Sequence, residues 1–127
     1  MTGILLDTHA WAWSLGRDPR LSPAARAAME KADAVFVSPV SFFEIAQKVR
    51  LGKWPEMAPF VARLPSLLEE QGGLVADVEP AVCIAAGLMD WAHRDPFDRL
   101  LAATATHHKL PLVSADAVFD GVVQRVW

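Results

Sequence analysis

The sequence has one cysteine, no long apolar run and no excess of basic residues, and each absence excludes a class of protein. A lone Cys83 excludes a framework of internal disulfide bonds and suits a reducing, cytoplasmic setting. Its neighbours, residues 81–86, predict a small buried side chain rather than a nucleophile. The apolar stretches are far shorter than the roughly 20 residues of a membrane span, and no basic leader precedes Asp7. We therefore expect a soluble, cytoplasmic protein without a membrane anchor.

The charge balance is slightly acidic, with 15 acidic and 12 basic residues and a formal net charge of −3. Taken alone, this balance argues against a nucleic-acid partner, because phosphate binding favours lysine and arginine. Carboxylates that cluster around divalent cations would reverse the local sign of the charge. The 127 residues are 53% apolar and contain no repeat or linker, which predicts a single domain over residues 1–127 with a sizeable core.

Short apolar segments alternate with helical ones along the chain. This alternation predicts a parallel sheet covered by helices on both faces. The predicted strands are residues 3–6, 35–37, 74–76, 112–113 and 122–126. The predicted helices are residues 8–15, 23–31, 41–51, 57–70 (kinked or split at Pro65), 81–92 and 96–108.

Four acidic residues fall where the carboxyl ends of these strands are expected, which is the edge at which open parallel sheets bind ligands. Asp7 and Asp116 follow predicted strands directly. Glu44 and Asp98 lie in the first turns of helices that begin at the same edge. Together, at one edge, four carboxylates would repel one another unless a divalent cation bound among them, and Mg²⁺ prefers such oxygen ligands.

Helix capping is the alternative explanation for each acid taken singly. Ser41 and Glu44 have the spacing of a capping box, and Asp98 follows the N-cap sequence Asp95-Pro96. Asp116 could cap the turn that follows it. A capping box at Asp7 is excluded, because Ala10 and not a glutamate or glutamine lies three residues after it.

Four segments in chain order resemble the successive motifs of VapC-like PIN-domain toxins. They are Leu5-Leu6-Asp7-Thr8-His9-Ala10, Ser38-Pro39-Val40-Ser41-Phe42-Phe43-Glu44-Ile45-Ala46, His93-Arg94-Asp95-Pro96-Phe97-Asp98-Arg99-Leu100-Leu101-Ala102 and Leu112-Val113-Ser114-Ala115-Asp116. The resemblance spans almost the whole chain, and the third segment is the most specific of the four.

The resemblance implies a three-layer α/β/α sandwich with a five-stranded parallel sheet. It also implies a toxin that cleaves RNA with water activated by Mg²⁺ or Mn²⁺. The family's catalytic and metal-binding acids fall on Asp7, Glu44, Asp98 and Asp116, of which Asp7 and Asp98 would be the firmest ligands. Members of this family usually form homodimers and are held inactive by a cognate antitoxin protein.

The residues around these acids suggest substrate contacts. Thr8 and Ser114 are predicted either to orient a carboxylate or a metal-bound water, or to act as ordinary caps. Arg99 is our preferred contact for an RNA phosphate. His107 and His108 close a helix, where a cation suits the helix dipole.

Two other functions are compatible with an α/β domain bearing acids at its strand ends. A receiver-like phosphoacceptor module would need paired acids after the first strand and a lysine near the last one. Here Thr8 and His9 follow Asp7, and the predicted last strand contains Arg125 but no lysine. A catalytically silent PIN-fold module that binds RNA or protein stays open as the alternative.

Overall fold

The computed structural model describes residues 2–127, which form five strands, six α-helices and two 3-10 helices. The strands are β1 (Gly3–Leu6), β2 (Ala34–Val37), β3 (Leu74–Val75), β4 (Leu112–Val113) and β5 (Arg125–Val126). The α-helices are α1 (Thr8–Leu15), α2 (Pro23–Lys31), α3 (Pro39–Arg50), α4 (Leu64–Glu70), α5 (Pro80–Leu88) and α6 (Pro96–His108). The 3-10 helices are Pro55–Arg63 and Ala117–Phe119. Within residues 2–127, every helix is too short or too polar to cross a membrane.

All strands of the sheet are parallel, in the order β3-β2-β1-β4-β5, which confirms the predicted architecture. The central strand β1 shows how the layers form. Ile4 and Leu6 pack into one core cluster with side chains of α1, α3 and α4, whereas Leu5 packs into another with side chains of α6. Successive side chains of a strand point to opposite faces, so helices cover the sheet on both sides.

Three helices differ from the predicted ranges, and proline explains two of them. Helix α3 begins at Pro39, two residues before the predicted start, because Ser38 rather than Ser41 is its N-cap. Residues 55–63 form a 3-10 helix that contains Pro59, and Pro65 lies in the first turn of the separate helix α4. Proline has no backbone N–H to donate and is best accommodated at the start of a helix.

Helix α5 ends at Leu88 instead of residue 92, and β5 is limited to Arg125–Val126. The Arg99 guanidinium accounts for the early end of the helix. It binds the carbonyl oxygens of Ala86 and Gly87, which a longer helix would have used for its own next turn.

The expected burial of Cys83 is wrong, because its side chain is exposed. Val82 and Ala86 face inward from α5 and pack against Ala103. Cys83 directly follows the inward-facing Val82, and a step of one residue along a helix turns the side chain away from that face.

Asp95 caps α6 as predicted. Its Oδ1 atom accepts hydrogen bonds from the backbone N–H groups of Phe97 at 2.8 Å and Asp98 at 3.2 Å. This cap fixes the first turn of the helix, and therefore the position of Asp98.

We expect Asp95→Ala to lower the free energy of unfolding by about 1 kcal/mol, because it removes the cap. Asp95→Asn keeps an oxygen in the same place and is the matched control, so its stability should stay near that of the wild type. Urea denaturation measures both variants. Equal stability of the alanine variant and the wild type would contradict a capping role.

Candidate metal centre

A cavity of about 190 Å³ at the carboxyl edge of the sheet is lined by all four acids that the sequence singles out. They come from the end of β1, from α3, from the start of α6 and from the segment after β4. Four segments that are distant in sequence therefore each contribute one acid to the cavity. The acids are Asp7, Glu44, Asp98 and Asp116, and the lining also includes Thr8, His9, Lys48, Asp95, Leu101 and Phe119.

Asp7 and Glu44 are the two buried acids of the four, with 9% and 7% of their surfaces exposed. The Oδ1 atom of Asp7 accepts a hydrogen bond of 2.7 Å from the backbone N–H of Ala10, so Asp7 is the N-cap of α1 even though no capping box is present. Burial raises the pKa of Asp7 to about 6, and the negative charges of Asp98 and Glu44 add to that rise. Hydrogen bonds from Ser114 and Ala10 oppose it.

Glu44 does not belong to a capping box, and the capping interpretation of this residue is wrong. It is the sixth residue of α3 rather than a first-turn residue, and Ser38 is the N-cap instead. Thr8 donates a hydrogen bond of 2.6 Å to Glu44 Oε1, and Lys48 donates one of 2.9 Å to Oε2. Both oxygens of this buried carboxylate therefore accept hydrogen bonds from side chains rather than from the backbone N–H groups at the start of α3.

Asp98 lies in the first turn of α6, as predicted, and pairs with a histidine that sequence reasoning did not single out as a site residue. His93 Nε2 lies 2.6 Å from Asp98 Oδ2. Ligand atoms of His93, Asp95 and Asp98 lie within 4.8 Å of one another, which makes this group able to hold a metal ion. Burial raises the pKa of Asp98, and the His93 hydrogen bond opposes the rise.

Asp116 and Ser114 form a small turn after β4. Ser114 Oγ accepts the backbone N–H of Asp116 at 3.0 Å, and Asp116 Oδ1 accepts the N–H of Val118 at 3.0 Å. Asp116 therefore caps the 3-10 helix, as its alternative interpretation predicts. Among residues 2–127, no hydrogen bond occupies its second oxygen, which remains free to face the cavity.

The donor set of the cavity fits a hard divalent cation. Carboxylate oxygens on four separate elements surround a space that has room for several waters, and Mg²⁺ keeps several waters while binding only one or two carboxylates directly. The raised pKa of Asp7 indicates that its charge is poorly compensated by the protein alone. The four acids line the cavity without forming a tight group of ligand atoms, which favours ions that retain part of their hydration shell.

Arg99 uses its side-chain N–H groups to bind backbone carbonyl oxygens, which leaves no donor for an RNA phosphate. Its five N–H groups point to five backbone carbonyls between residues 86 and 93, at 2.6 to 3.4 Å. We therefore do not retain the predicted phosphate contact of Arg99.

Lys48 is the cation that does line the cavity. Its ammonium lies 5.6 Å from the ring centre of Trp54, and His9 stacks on the same ring at 4.6 Å. Burial, with the positive charge of Lys48, lowers the pKa of His9, which favours a neutral imidazole. This aromatic wall holds Lys48 beside Glu44 in a partly buried position.

Comparison with protein families matches residues 4–123 to the PIN domain. Ribonuclease VapC22 of Mycobacterium tuberculosis is 35% identical over 117 residues, which cover 91% of this chain and 88% of that protein.

Several solved structures share the fold at low sequence identity. A toxin–antitoxin complex from Klebsiella pneumoniae gives a TM-score of 0.64 at 16% identity, covering 98% of this chain and 96% of that one. VapBC2 from Rickettsia felis, bound to a promoter DNA fragment, gives 0.67 at 14% identity, with coverages of 96% and 93%. FitAcB from Neisseria gonorrhoeae gives 0.61 at 24% identity, with coverages of 96% and 95%.

We expect Asp7→Asn to stabilise the protein at pH 8 when divalent ions are absent. The folded pKa of about 6 exceeds the ordinary 3.8, so the folded wild type binds more protons between these values and loses stability as pH rises through about 6. The loss corresponds to roughly 3 kcal/mol. Asparagine keeps an oxygen for the Ala10 N–H and carries no charge.

Thermal unfolding of both proteins from pH 4 to pH 8 in a chelator measures the effect. The difference in unfolding free energy should grow in favour of the variant as pH rises. A variant that is less stable than the wild type at pH 8 would show that the Asp7 charge is already compensated by the protein.

Proposed function

The chain belongs to the PIN-domain family, and from that membership we propose that it is a metal-dependent endoribonuclease acting as the toxin of a toxin–antitoxin pair. One observation carries the proposal: a buried acid with a raised pKa, Asp7, shares a cavity with three more carboxylates from distant parts of the chain. The 35% identical relative is named a ribonuclease, and one structural neighbour is a toxin–antitoxin complex, which supports both halves of the proposal.

Asp7 and Asp98 would hold the ion most directly, because each projects into the cavity from the end of an element. Asp116 would add its free oxygen. Glu44 would act mainly through water, since Thr8 and Lys48 already engage its two oxygens. When bound, Mg²⁺ or Mn²⁺ supplies positive charge that stabilises a phosphodiester undergoing hydrolysis and makes water a better nucleophile.

The remaining polar residues position the acids. Thr8 orients Glu44 through its hydroxyl, and Ser114 orients the Asp116 turn while its side chain also lowers the pKa of Asp7. His93 fixes one oxygen of Asp98 and leaves the other to face the cavity. Partners of this kind set ligand orientation in metal sites. Lys48, rather than Arg99, would contact an RNA phosphate, because its positive charge lies at the cavity wall.

Exposed apolar side chains on α3 and α5 support the proposal that the chain binds other proteins. Ile84 and Leu88 lie four residues apart on α5, with 62% and 79% of their surfaces exposed, and Phe43 on α3 is 60% exposed. Residues four apart lie on the same face of a helix, so α5 presents an apolar stripe. We propose that surfaces of this kind serve a homodimer and a cognate antitoxin.

Asp98→Asn should reduce RNA cleavage in Mg²⁺ or Mn²⁺ by at least about 100-fold, since loss of even an outer partner of a metal ligand costs roughly 10- to 100-fold. Asp90→Asn changes an exposed acid outside the cavity and is the matched control, expected to cleave like the wild type. Cleavage of single-stranded RNA followed on a gel, with and without EDTA, is the measurement.

Two results would contradict the proposal. Full activity of Asp98→Asn would place the active site elsewhere. A wild type that binds RNA but leaves it intact under all divalent ions would favour the silent binding module.

Expression of the chain in a bacterium should arrest growth, and co-expression of the product of the neighbouring gene should restore it. The Asp98→Asn variant should be harmless because the damage requires hydrolysis. Growth curves with matched protein levels measure this. Arrest by wild type and variant alike would separate toxicity from cleavage and so contradict the toxin mechanism.

A further inference from the structure

A second group of metal-ligating side chains lies at the opposite end of α6 from the candidate metal centre. It consists of Glu79, which precedes α5, and His107 and His108, the last two residues of α6. His108 lies ten positions after Asp98, so a helix rise of 1.5 Å per residue puts the two groups about 15 Å apart. The second group is therefore independent of the acidic cavity.

The two imidazoles converge on one carboxylate. His107 Nε2 lies 3.0 Å from Glu79 Oε2, and His108 Nε2 lies 3.1 Å from Glu79 Oε1. One ligand atom from each of the three residues lies within 4.8 Å of the other two. In tetrahedral zinc sites, ligand atoms about 2.1 Å from the ion lie roughly 3.4 Å from one another. The two imidazole–carboxylate distances are slightly shorter than that value and the remaining separation is within 4.8 Å, so side-chain adjustments would admit an ion.

One oxygen of this carboxylate lies beside an imidazole without forming a well-aligned hydrogen bond. Glu79 Oε2 is buried and has no hydrogen-bond partner among residues 2–127, although His107 Nε2 is near. His108 Nε2 is 3.1 Å from the carbonyl oxygen of Asp77. Glu79 is the N-cap residue of α5, yet its side chain accepts no capping hydrogen bond. Although the Glu79 side chain as a whole is 36% exposed, a cation between the three residues would give this oxygen a direct partner.

The ligand types select the class of ion. Two imidazoles and one carboxylate suit Zn²⁺ and similar transition-metal ions, whereas Mg²⁺ and Ca²⁺ prefer sites made of oxygen alone. Three protein ligands leave a fourth position for water, which matches the partial exposure of the group.

We propose that Glu79, His107 and His108 form a site for one zinc-class ion that clips the start of α5 to the end of α6. The two helices already pack through Val82, Ala86 and Ala103. An ion bound between the start of α5 and the end of α6 would fix the last turn of α6 and would not contact the acidic cavity.

Zn²⁺ titration tests the proposal in the Asp98→Asn background, which weakens binding in the acidic cavity. Calorimetry should show one Zn²⁺ per chain, and Zn²⁺ should raise the thermal unfolding temperature. Adding Glu79→Gln should lower the affinity at least about tenfold and abolish the temperature shift. Glu70→Gln, an exposed acid on α4, is the matched control and should bind like its parent.

His107→Asn is a second variant, which keeps the Glu79 side chain and removes one imidazole instead. It should lose Zn²⁺ affinity in the same way as Glu79→Gln. Circular dichroism confirms that each variant is folded. Absence of Zn²⁺ binding by the Asp98→Asn protein, or unchanged binding after both substitutions, would overturn the proposal and leave the cluster as an ordinary set of ion pairs.

Discussion

Repulsion among carboxylates that share one partly buried cavity is the constraint on which the structure around the sheet edge depends. The fold meets it with a local partner for each acid: a backbone N–H for Asp7 and Asp116, a hydroxyl and an ammonium for Glu44, and an imidazole for Asp98. Helix N-termini add the positive ends of their dipoles. These partners do not compensate the acids fully: burial first, and then the negative charges of Asp98 and Glu44, raise the pKa of Asp7.

The sheet and the gathering of the acids could be predicted because both depend on local sequence. Short apolar runs such as residues 3–6 are readable as buried strands, and all-parallel pairing follows from the helices between them. Once the strands are placed, an acid directly after a strand must lie at the carboxyl edge. Asp7 and Asp116 needed no further information, and the cap at Asp95 located Asp98.

The interactions that fix each side chain could not be predicted, because they join residues that are distant in sequence or separated by irregular backbone. Ser41 and Glu44 have ideal capping spacing, yet the helix starts earlier and the Thr8 hydroxyl, 36 residues away, holds the glutamate. His93 approaches Asp98 through a turn that has no periodicity. Cys83 sits in an apolar run, but the one face of α5 that packs inward excludes it.

Arg99 binds its loop through backbone oxygens alone, and every amino acid carries such an oxygen. The path of residues 86–93 is thereby fixed in part by atoms that any side chain would leave in place. Exposed positions of the segment such as Asp90 do not contribute to these hydrogen bonds, whereas Ala86 and Trp91 also pack into the core. The arrangement requires a single planar side chain, which a lysine with three donors on a flexible stem would not replace.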